Sequence, residues 1–248
     1  MRTIAVYPGR FHPFSLGHKA VYDQLANNPK IDDVYIVTSK KQDQDKSPFS
    51  YDDKVAMMTK TGVPASHIIP VTNPYKIDEI VKKLNLDPVN DRLIYALGGD
   101  DAQRFNYTPV SPLQLYTPKK RMKPVGQHAY VKIVPQIPYN ILGKRVTHAS
   151  DIRKMYQTGN DNDRNQIIVD LYGRIDPELK DTFDHALGVN TPQEAIIYGQ
   201  EKRFAGDNPV NVMRERREQL LIKISETRQQ LNRYQIVDYI DERISRKK

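Results

Sequence analysis

The chain has 248 residues and no cysteine, and its 38 Lys and Arg against 30 Asp and Glu give a formal net charge of +8. The lack of cysteine excludes disulfides, thiolate nucleophiles and cysteine-based zinc sites. No stretch approaches the roughly 20 apolar residues of a membrane-spanning helix, and no signal-peptide pattern precedes the first strand, so a soluble cytoplasmic protein without membrane contacts is expected. The basic residues are spread along the chain without an aromatic and basic motif, so specific nucleic-acid binding is not expected.

Apolar runs alternate with helical patterns over the first part of the chain. Strands are predicted near residues 3–7, 33–38, 67–71, 92–97 and 128–134. Such alternation predicts an α/β fold with a doubly wound parallel sheet. The connection from Phe105 to Gln127 is rich in Pro, Tyr and Lys and is too long for a plain connector, so it is interpreted as a lid or an insertion.

The segment from Gly9 to His18 joins the first strand to a helix predicted over Lys19–Leu25. A turn from strand to helix gathers backbone N–H groups and the positive end of the helix dipole, which favours an anionic ligand. Gly9 and Gly17 allow backbone to approach such a ligand closely, while Arg10 and His18 add charge and hydrogen-bond donors. The segment is therefore a candidate phosphate-binding turn.

A second candidate anion site is the segment Thr147–Arg153, which opens a later helix. Ser150 is predicted to cap that helix and Asp151 to lie in its first turn. Arg153 could then reach a phosphate from the N-terminal end of the helix.

Two further groups follow predicted strands and could contact a ligand there. Lys40 and Lys41 come after the second strand, and Asp100 comes after the fourth in Gly98-Gly99-Asp100-Asp101. A solvated loop explains the lysines more simply, and a plain turn with a helix cap explains the segment around Asp100 nearly as well as a contact to ribose or metal.

The two motifs together resemble the nucleotidyltransferase superfamily, which carries a Gly-x-Phe-x-Pro segment ending in Gly-His and a later segment ending in Arg. The matching residues of the first motif are Gly9, Phe11, Pro13, Gly17 and His18. Gly9-Arg10-Phe11 is similar to the archaeal type of nicotinamide mononucleotide adenylyltransferase. Ser15 stands where the family usually has His or Thr, and His148 stands where it usually has Ser. The resemblance implies a Rossmann-like nucleotidyltransferase fold.

The resemblance also implies an activity, which is transfer of a nucleotidyl group from ATP or CTP to a phosphate-bearing small molecule with release of pyrophosphate. The attacking phosphate is already anionic, so the catalysis is electrostatic rather than basic. His18 would bind the α-phosphate, Arg153 the leaving phosphates, and Arg10 would assist. Mg²⁺ would arrive on the nucleotide phosphates rather than on protein ligands. Gly9, Phe11, Ser15, Gly17 and Ser150 would surround the phosphates, with Lys40, Lys41 and Asp100 as further candidates.

Three regions are predicted, with the nucleotidyltransferase-like α/β domain at 1–158, a helical extension at 159–210 and a long amphipathic helix at 211–248. Helices within the extension are predicted over 165–172, 177–187 and 192–198. Leu220, Ile224 and Leu231 lie at helical spacing beside dense charge, so the last segment is either a helix packed on the domain or an oligomerisation element. A homo-oligomer is expected in the second case.

A second resemblance leads to a different class of function. Gln127–Val131 and Asp170–Gly173, with the first motif, look like cytidylyltransferase-like proteins of tailed bacteriophages over about the first 188 residues. The alternative is thus a non-catalytic structural or assembly component of a virion, bound to other virion proteins, that reuses the fold. A phage protein would act in the host cytoplasm or the virion. Adenine and cytosine stay open, since the Gly-Arg-Phe segment favours the first and the phage resemblance the second.

Overall fold

Six parallel strands form the central sheet of the computed structural model, which describes residues 1–118, 120–135 and 137–189. The strands are β1 Thr3–Gly9, β2 Asp33–Ser39, β3 Ile68–Val71, β4 Arg92–Leu97, β5 Leu113–Leu115 and β6 Ala129–Ile133. Their order across the sheet is β3-β2-β1-β4-β6-β5, and every neighbouring pair is parallel. The predicted doubly wound parallel sheet is confirmed, and all five predicted strands are present.

The central strands β1 and β4 are mostly apolar, as expected for strands that helices cover on both faces of the sheet. Ile4, Ala5 and Val6 of β1 are completely buried, and successive residues contribute to opposite core clusters. The chain leaves β1 toward β2 on one side and later returns to pair β4 on the other. The carboxyl ends of β1 and β4 therefore form a topological switch point, which is where open α/β sheets bind ligands.

Seven helices flank the sheet in the described residues: α1 Leu16–Ala26, α2 Tyr51–Lys60, α3 Ile77–Lys83, α4 Gly99–Ala102, α5 Ala149–Thr158, α6 Asp161–Tyr172 and α7 Pro177–Ala186. A 3₁₀ turn, Ala65–His67, precedes β3. Helix α1 begins three residues before the predicted start at Lys19, which places Gly17 and His18 in its first turn. Helix α6 also begins earlier than predicted, because Asn160 and Asp163 form a capping box.

The connection from residue 105 to 127 supplies the edge strand β5, and none of its described residues lines the cleft described below. An antiparallel hairpin, β7 Tyr139–Ile141 and β8 Lys144–Val146, was also not predicted. Its two-residue turn has positive φ at Leu142 (50°) and Gly143 (72°), the geometry of a tight hairpin turn. The hairpin carries Tyr139 toward the first motif.

Helices α6 and α7 pack into the same core as the first motif. Tyr172 of α6 donates a hydrogen bond of 2.8 Å to the carbonyl of Phe14, and Phe183 of α7 is completely buried. Residues 1–190 form one compact unit, which holds the predicted 1–158 domain together with these two helices. The helices predicted at 192–198 and 211–248 lie outside the described residues. None of the described helices has the length and hydropathy that crossing a membrane requires.

A buried carboxylate, Asp91, ties the start of β1 to the start of β4. It accepts hydrogen bonds from the backbone N–H and the guanidinium of Arg2, at 3.0 and 2.8 Å, and from the backbone N–H of Asp87 at 3.1 Å. Burial alone would raise the pKa of Asp91, but the hydrogen bonds from Arg2 and Asp87 outweigh it and lower the pKa to about 2.

Asp91→Asn should therefore destabilise the fold in a pH-dependent way. Because the folded pKa lies below the unfolded one, the stabilisation is present above pH 4 and is lost as pH falls toward 2. After screening of the exposed Arg2 we expect a loss on the order of 1 kcal/mol at pH 7. Urea unfolding of both proteins at pH 7 and near pH 2.5 measures it, and an equal difference at the two pH values would contradict the assignment.

Candidate functional site

A cleft of about 350 Å³ opens at the carboxyl ends of β1 and β4, at the switch point of the sheet. Its walls are Tyr7–Phe11 at the end of β1, the first turn of α1, Gly98–Asp101 after β4 and Thr147–Ala149 at the start of α5. The size is within the range of small-molecule sites. The two motifs, which are far apart in the sequence, thus meet in one cavity.

Gly9 and Phe11 shape the floor of the cleft. Phe11 has a φ of 53°, and its ring folds back over the end of β1. A Cβ atom on Gly9 would lie 2.6 Å from Cζ of that ring, so only glycine fits there. The ring of Phe11 then packs edge-on against His18, with centroids 5.3 Å apart.

His18 is held among aromatic rings on the first turn of α1. The Phe14 ring stacks on its imidazole at 5.3 Å, and the Tyr139 ring lies at 6.0 Å. Burial lowers the pKa of His18 to about 4, so the imidazole is neutral at pH 7 in this structure. The α-phosphate role that the resemblance implies requires a group facing the cleft, and His18 does line it.

Ser15 precedes α1 and is buried, yet its side chain does not cap the helix. Its Oγ instead donates to Tyr139 Oη at 3.0 Å and lies 3.0 Å from His18 Nδ1. Tyr139 Oη lies 3.1 Å from the same nitrogen. A Cβ on Gly17 would come within 2.8 Å of Cε1 of Tyr139, so this glycine permits the contact. Tyr139 is a site residue that the sequence did not suggest.

The helix of the second motif begins two residues earlier than predicted. Helix α5 starts at Ala149 with His148 at its N-cap position, so the predicted cap at Ser150 is wrong. Ser150 is the second helical residue, is exposed and does not line the cleft. Asp151 does lie in the first turn. The residues of this segment that line the cleft are Thr147, His148, Ala149 and Ile152.

Arg153 lies beside the first motif rather than in the cleft wall. Its guanidinium donates to the carbonyl of His12 at 2.7 Å and to the carbonyl of Asp45 at 3.1 Å. Burial and the charge of Arg10 lower the pKa of Arg153, so the two guanidinium groups are close enough to repel each other. These two hydrogen bonds, the ones found within the described part of the chain, use two of the five guanidinium protons. The structure thus brings Arg10, which is exposed and lines the cleft, near Arg153.

Two buried basic residues behind the motif were not selected from the sequence. Lys54 of α2 is completely buried and donates to Thr38 Oγ1 at 3.2 Å and to the carbonyl of Ser39. No ion pair of the described residues involves it, and burial lowers its pKa to about 8. Neither ring nitrogen of buried His12 has a partner among the described residues, and burial, Lys54 and Arg153 lower its pKa to about 3. Lys54 therefore adds positive charge behind this turn, while His12 is neutral at pH 7.

Of the remaining predicted site residues, the two lysines lie in a loop outside the cleft and Asp100 lines the cleft. Lys40 and Lys41 are exposed just after β2 and do not line the cleft; Lys40 Nζ lies 5.5 Å from the centroid of the Tyr51 ring. Asp100 is exposed and lines the cleft wall, one residue into α4, whose N-cap is Gly98. Among the described residues no group of three or more His, Asp or Glu side chains could hold a metal ion by itself.

A parallel sheet with a switch-point cleft on which the two sequence motifs converge defines a Rossmann-like nucleotidyltransferase fold. The family model described as cytidylyltransferase-like matches residues 6–154. The chain belongs to this family, and the match includes Gly9 to His18 and Arg153.

Solved structures with a similar fold include three adenylyltransferases. A nicotinic acid mononucleotide adenylyltransferase of Plasmodium falciparum complexed with APC is 16% identical with a TM-score of 0.44, over 76% of this chain and 97% of that one. A putative nicotinate-nucleotide adenylyltransferase of Vibrio parahaemolyticus is 17% identical with a TM-score of 0.43, over 74% and 99%. A bifunctional NMN adenylyltransferase/ADP ribose pyrophosphatase of Francisella tularensis, complexed with AMP and a Mn ion, is 17% identical with a TM-score of 0.45, over 84% and 58%. No curated protein sequence matches the chain.

Proposed function

We propose that this protein transfers a nucleotidyl group from ATP or CTP to a phosphate-bearing small molecule and releases pyrophosphate. The observation that carries the proposal is the convergence of Gly9-Arg10-Phe11, His18 and the start of α5 on one cleft at the switch point of the sheet. Membership of the cytidylyltransferase-like family supports the same class of reaction.

The proposed reaction is an in-line displacement at phosphorus. An oxygen of the acceptor phosphate forms a bond to the α-phosphorus, while the bond from that phosphorus to the oxygen bridging to the β-phosphate breaks, and pyrophosphate leaves with that electron pair. The nucleophile is anionic at neutral pH, so the reaction does not require a strong base from the protein. Its contribution is to position the groups and to stabilise the charge of the transition state.

The basic groups around the motif suit this electrostatic task. His18 lies in the cleft for a contact to the α-phosphate, and Arg10 lies at its rim. Arg153 lies beside Arg10, and the N–H groups without a partner among the described residues would hold the leaving phosphates. The backbone N–H groups at the start of α5 add further donors, because His148 provides no side-chain cap for them.

Mg²⁺ fits this cleft as an ion carried by the triphosphate. The wall offers the carboxylates of Asp100 and Asp101 but, among the described residues, no complete set of protein ligands. Hard oxygen ligands from phosphate, water and one or two carboxylates are what Mg²⁺ takes in such sites. The ion would neutralise charge on the leaving pyrophosphate.

A pyrophosphate-release assay tests the proposal. The protein is incubated with Mg²⁺ and each of ATP, CTP, GTP and UTP, together with a panel of phosphomonoesters that includes mononucleotides and phosphorylated alcohols. We expect release that requires both a nucleotide and an acceptor, with ATP or CTP preferred. Binding of triphosphate without release for any acceptor would leave a nucleotide-binding protein and contradict the transferase assignment.

The second candidate is a structural component of a virion, and the observation in its favour is Ser15 in place of the family's His or Thr. This candidate depends on residues 211–248, which lie outside the described residues. It predicts stable multimers that dissociate when residues 211–248 are deleted, because that segment would form the interface. Light scattering of the full chain and of the truncated chain measures the masses. Equal oligomeric states would count against the structural role.

A further inference from the structure

We propose that Tyr139 is a further substrate-contacting residue of the cleft, whose phenolic O–H is the donor that Ser15 and His18 leave free for a phosphate oxygen. This inference rests on the proposed function for the identity of the ligand. The arrangement of the three side chains stands on the structure itself. Tyr139 reaches the cleft from the hairpin strand β7, which belongs to neither motif.

The three polar atoms form a closed cluster. Ser15 Oγ donates to Tyr139 Oη at 3.0 Å and lies 3.0 Å from His18 Nδ1. Tyr139 Oη lies 3.1 Å from Nδ1 and 3.4 Å from Nε2 of the same ring. Ser15 is almost completely buried, so water does not take the place of these partners.

Counting protons shows which donor is free. The imidazole of His18 is neutral at pH 7 and carries one proton, and each hydroxyl also has one. The serine proton is used toward Tyr139, so the short contact between Ser15 Oγ and Nδ1 requires the imidazole proton on Nδ1. His18 thus donates to Ser15, and Ser15 donates to Tyr139.

The proton of Tyr139 is the last in this chain of hydrogen bonds. Its remaining acceptor within the cluster is His18 Nε2 at 3.4 Å, which is long for a hydrogen bond. Burial raises the pKa of Tyr139, so the phenol keeps its proton at neutral pH. A phosphate oxygen in the cleft is a much better acceptor, and the hydrogen bond that Tyr139 accepts from Ser15 strengthens its phenol as a donor.

The backbone is built around the tyrosine ring. Gly17 has no side chain where Cε1 of Tyr139 approaches, and any Cβ would come within 2.8 Å of it. Leu142, at the hairpin turn, donates its backbone N–H to Asp170 of α6 at 2.8 Å, which fixes the hairpin on the helix. Tyr139 therefore occupies a defined position beside the residue that replaces the family's His or Thr. We infer that the tyrosine supplies the donor that this replacement removes.

The first test is the protonation state of His18 in the free full-length protein. Two-bond ¹H–¹⁵N correlation spectra distinguish the two neutral imidazole tautomers, and comparison with His18→Gln assigns the signals. We expect the proton on Nδ1 at pH 7. A spectrum with the proton on Nε2 would overturn the hydrogen-bond chain, whatever the activity of the protein.

The second test is calorimetric binding of MgATP, MgCTP and magnesium tripolyphosphate to Tyr139→Phe, which removes one oxygen atom. We expect affinity to fall roughly 10- to 100-fold for each ligand that the wild type binds, the size of one hydrogen bond to a charged group. Tyr22→Phe is the matched control, because Tyr22 Oη also pairs with an imidazole, 2.7 Å from His67 Nδ1, but outside the cleft. It should bind as the wild type does.

The outcomes separate this inference from the proposed function. Wild-type binding that Tyr139→Phe leaves unchanged would overturn the role of Tyr139 and leave the transferase proposal standing. A wild type that binds none of the three probes would overturn both. Equal losses in Tyr139→Phe and Tyr22→Phe would show a general packing effect and also contradict the assignment of Tyr139 as a phosphate donor.

Discussion

Replacing His18 by alanine is expected to lower the rate of nucleotidyl transfer by roughly 100- to 1,000-fold, the usual effect of removing one donor to a transition-state charge. In the free protein the single imidazole proton lies on Nδ1, so donation to the phosphate requires a second proton on Nε2, which the negative charge of a bound triphosphate favours. The imidazole faces the cleft on the first turn of α1, where the dipole of the helix adds to its effect. Phe11, Phe14 and Tyr139 pack around it and hold it in place. Pyrophosphate release at saturating nucleotide measures the rate.

His67→Ala is the control for this prediction. His67 also contacts aromatic side chains, with Tyr35 and Tyr22 rings at 5.3 and 6.3 Å, but it lies outside the cleft. It should retain the wild-type rate, and both variants should keep the wild-type circular dichroism spectrum. Full activity of His18→Ala would contradict the assigned role of the first motif.

Replacing Phe183 by alanine is expected to destabilise the fold by ~3–5 kcal/mol, the cost of removing a large buried side chain and leaving a cavity. Phe183 is completely buried in α7, with the rings of Phe49, Tyr156 and Tyr172 at 4.8, 5.1 and 6.2 Å. Tyr172 in turn bonds the carbonyl of Phe14 in the first motif. A helix outside the segment that matches the family therefore supports the candidate site.

Urea unfolding measures this loss, with Thr182→Ala as the neighbouring control. Thr182 is partly exposed and its hydroxyl donates to the carbonyl of Glu178 within the same helix, so its replacement should change the free energy of unfolding by less than about 0.5 kcal/mol. Equal stability of Phe183→Ala and Thr182→Ala would mean that α7 is not part of the cooperative fold.

The strands of the sheet could be predicted because burial on both faces makes them nearly continuous apolar runs. β1 and β4 are clear cases, since neither contains an exposed position that would break the run. The position of the cleft could be predicted as well, because the segment from Gly9 to His18 comes directly after β1 and has the residue types of an anion-binding site. Local sequence patterns are therefore enough to predict the family and the doubly wound sheet.

Features that depend on tertiary contacts could not be predicted. β5 has three residues and is a strand because it pairs with β6, and the turn at Leu142 and Gly143 lacks the Asn-Gly or Asp-Gly signal. Ser150 has the side chain of a helix cap, yet α5 begins before it. Here the extended backbone of His148 decides where the helix starts.

Tyr139 and Lys54 show the same limit within the site. Tyr139 lies 124 positions after Ser15, and no periodicity or motif relates them. Lys54 lies on the buried side of α2, and a lysine within an apolar stripe is only a weak sign of a buried functional group. Its buried partners, Thr38 and Ser39, lie on a different element, β2. Only the fold brings these groups to the motif.

Calorimetric titration of the purified protein with ATP and with CTP in the presence of Mg²⁺, repeated on His18→Ala, tests the central claim most directly. The account predicts saturable binding of at least one nucleotide to the wild type and clearly weaker binding to His18→Ala. Absence of binding by either nucleotide to a folded wild type would contradict it and would favour a protein that keeps the nucleotidyltransferase fold for a structural role.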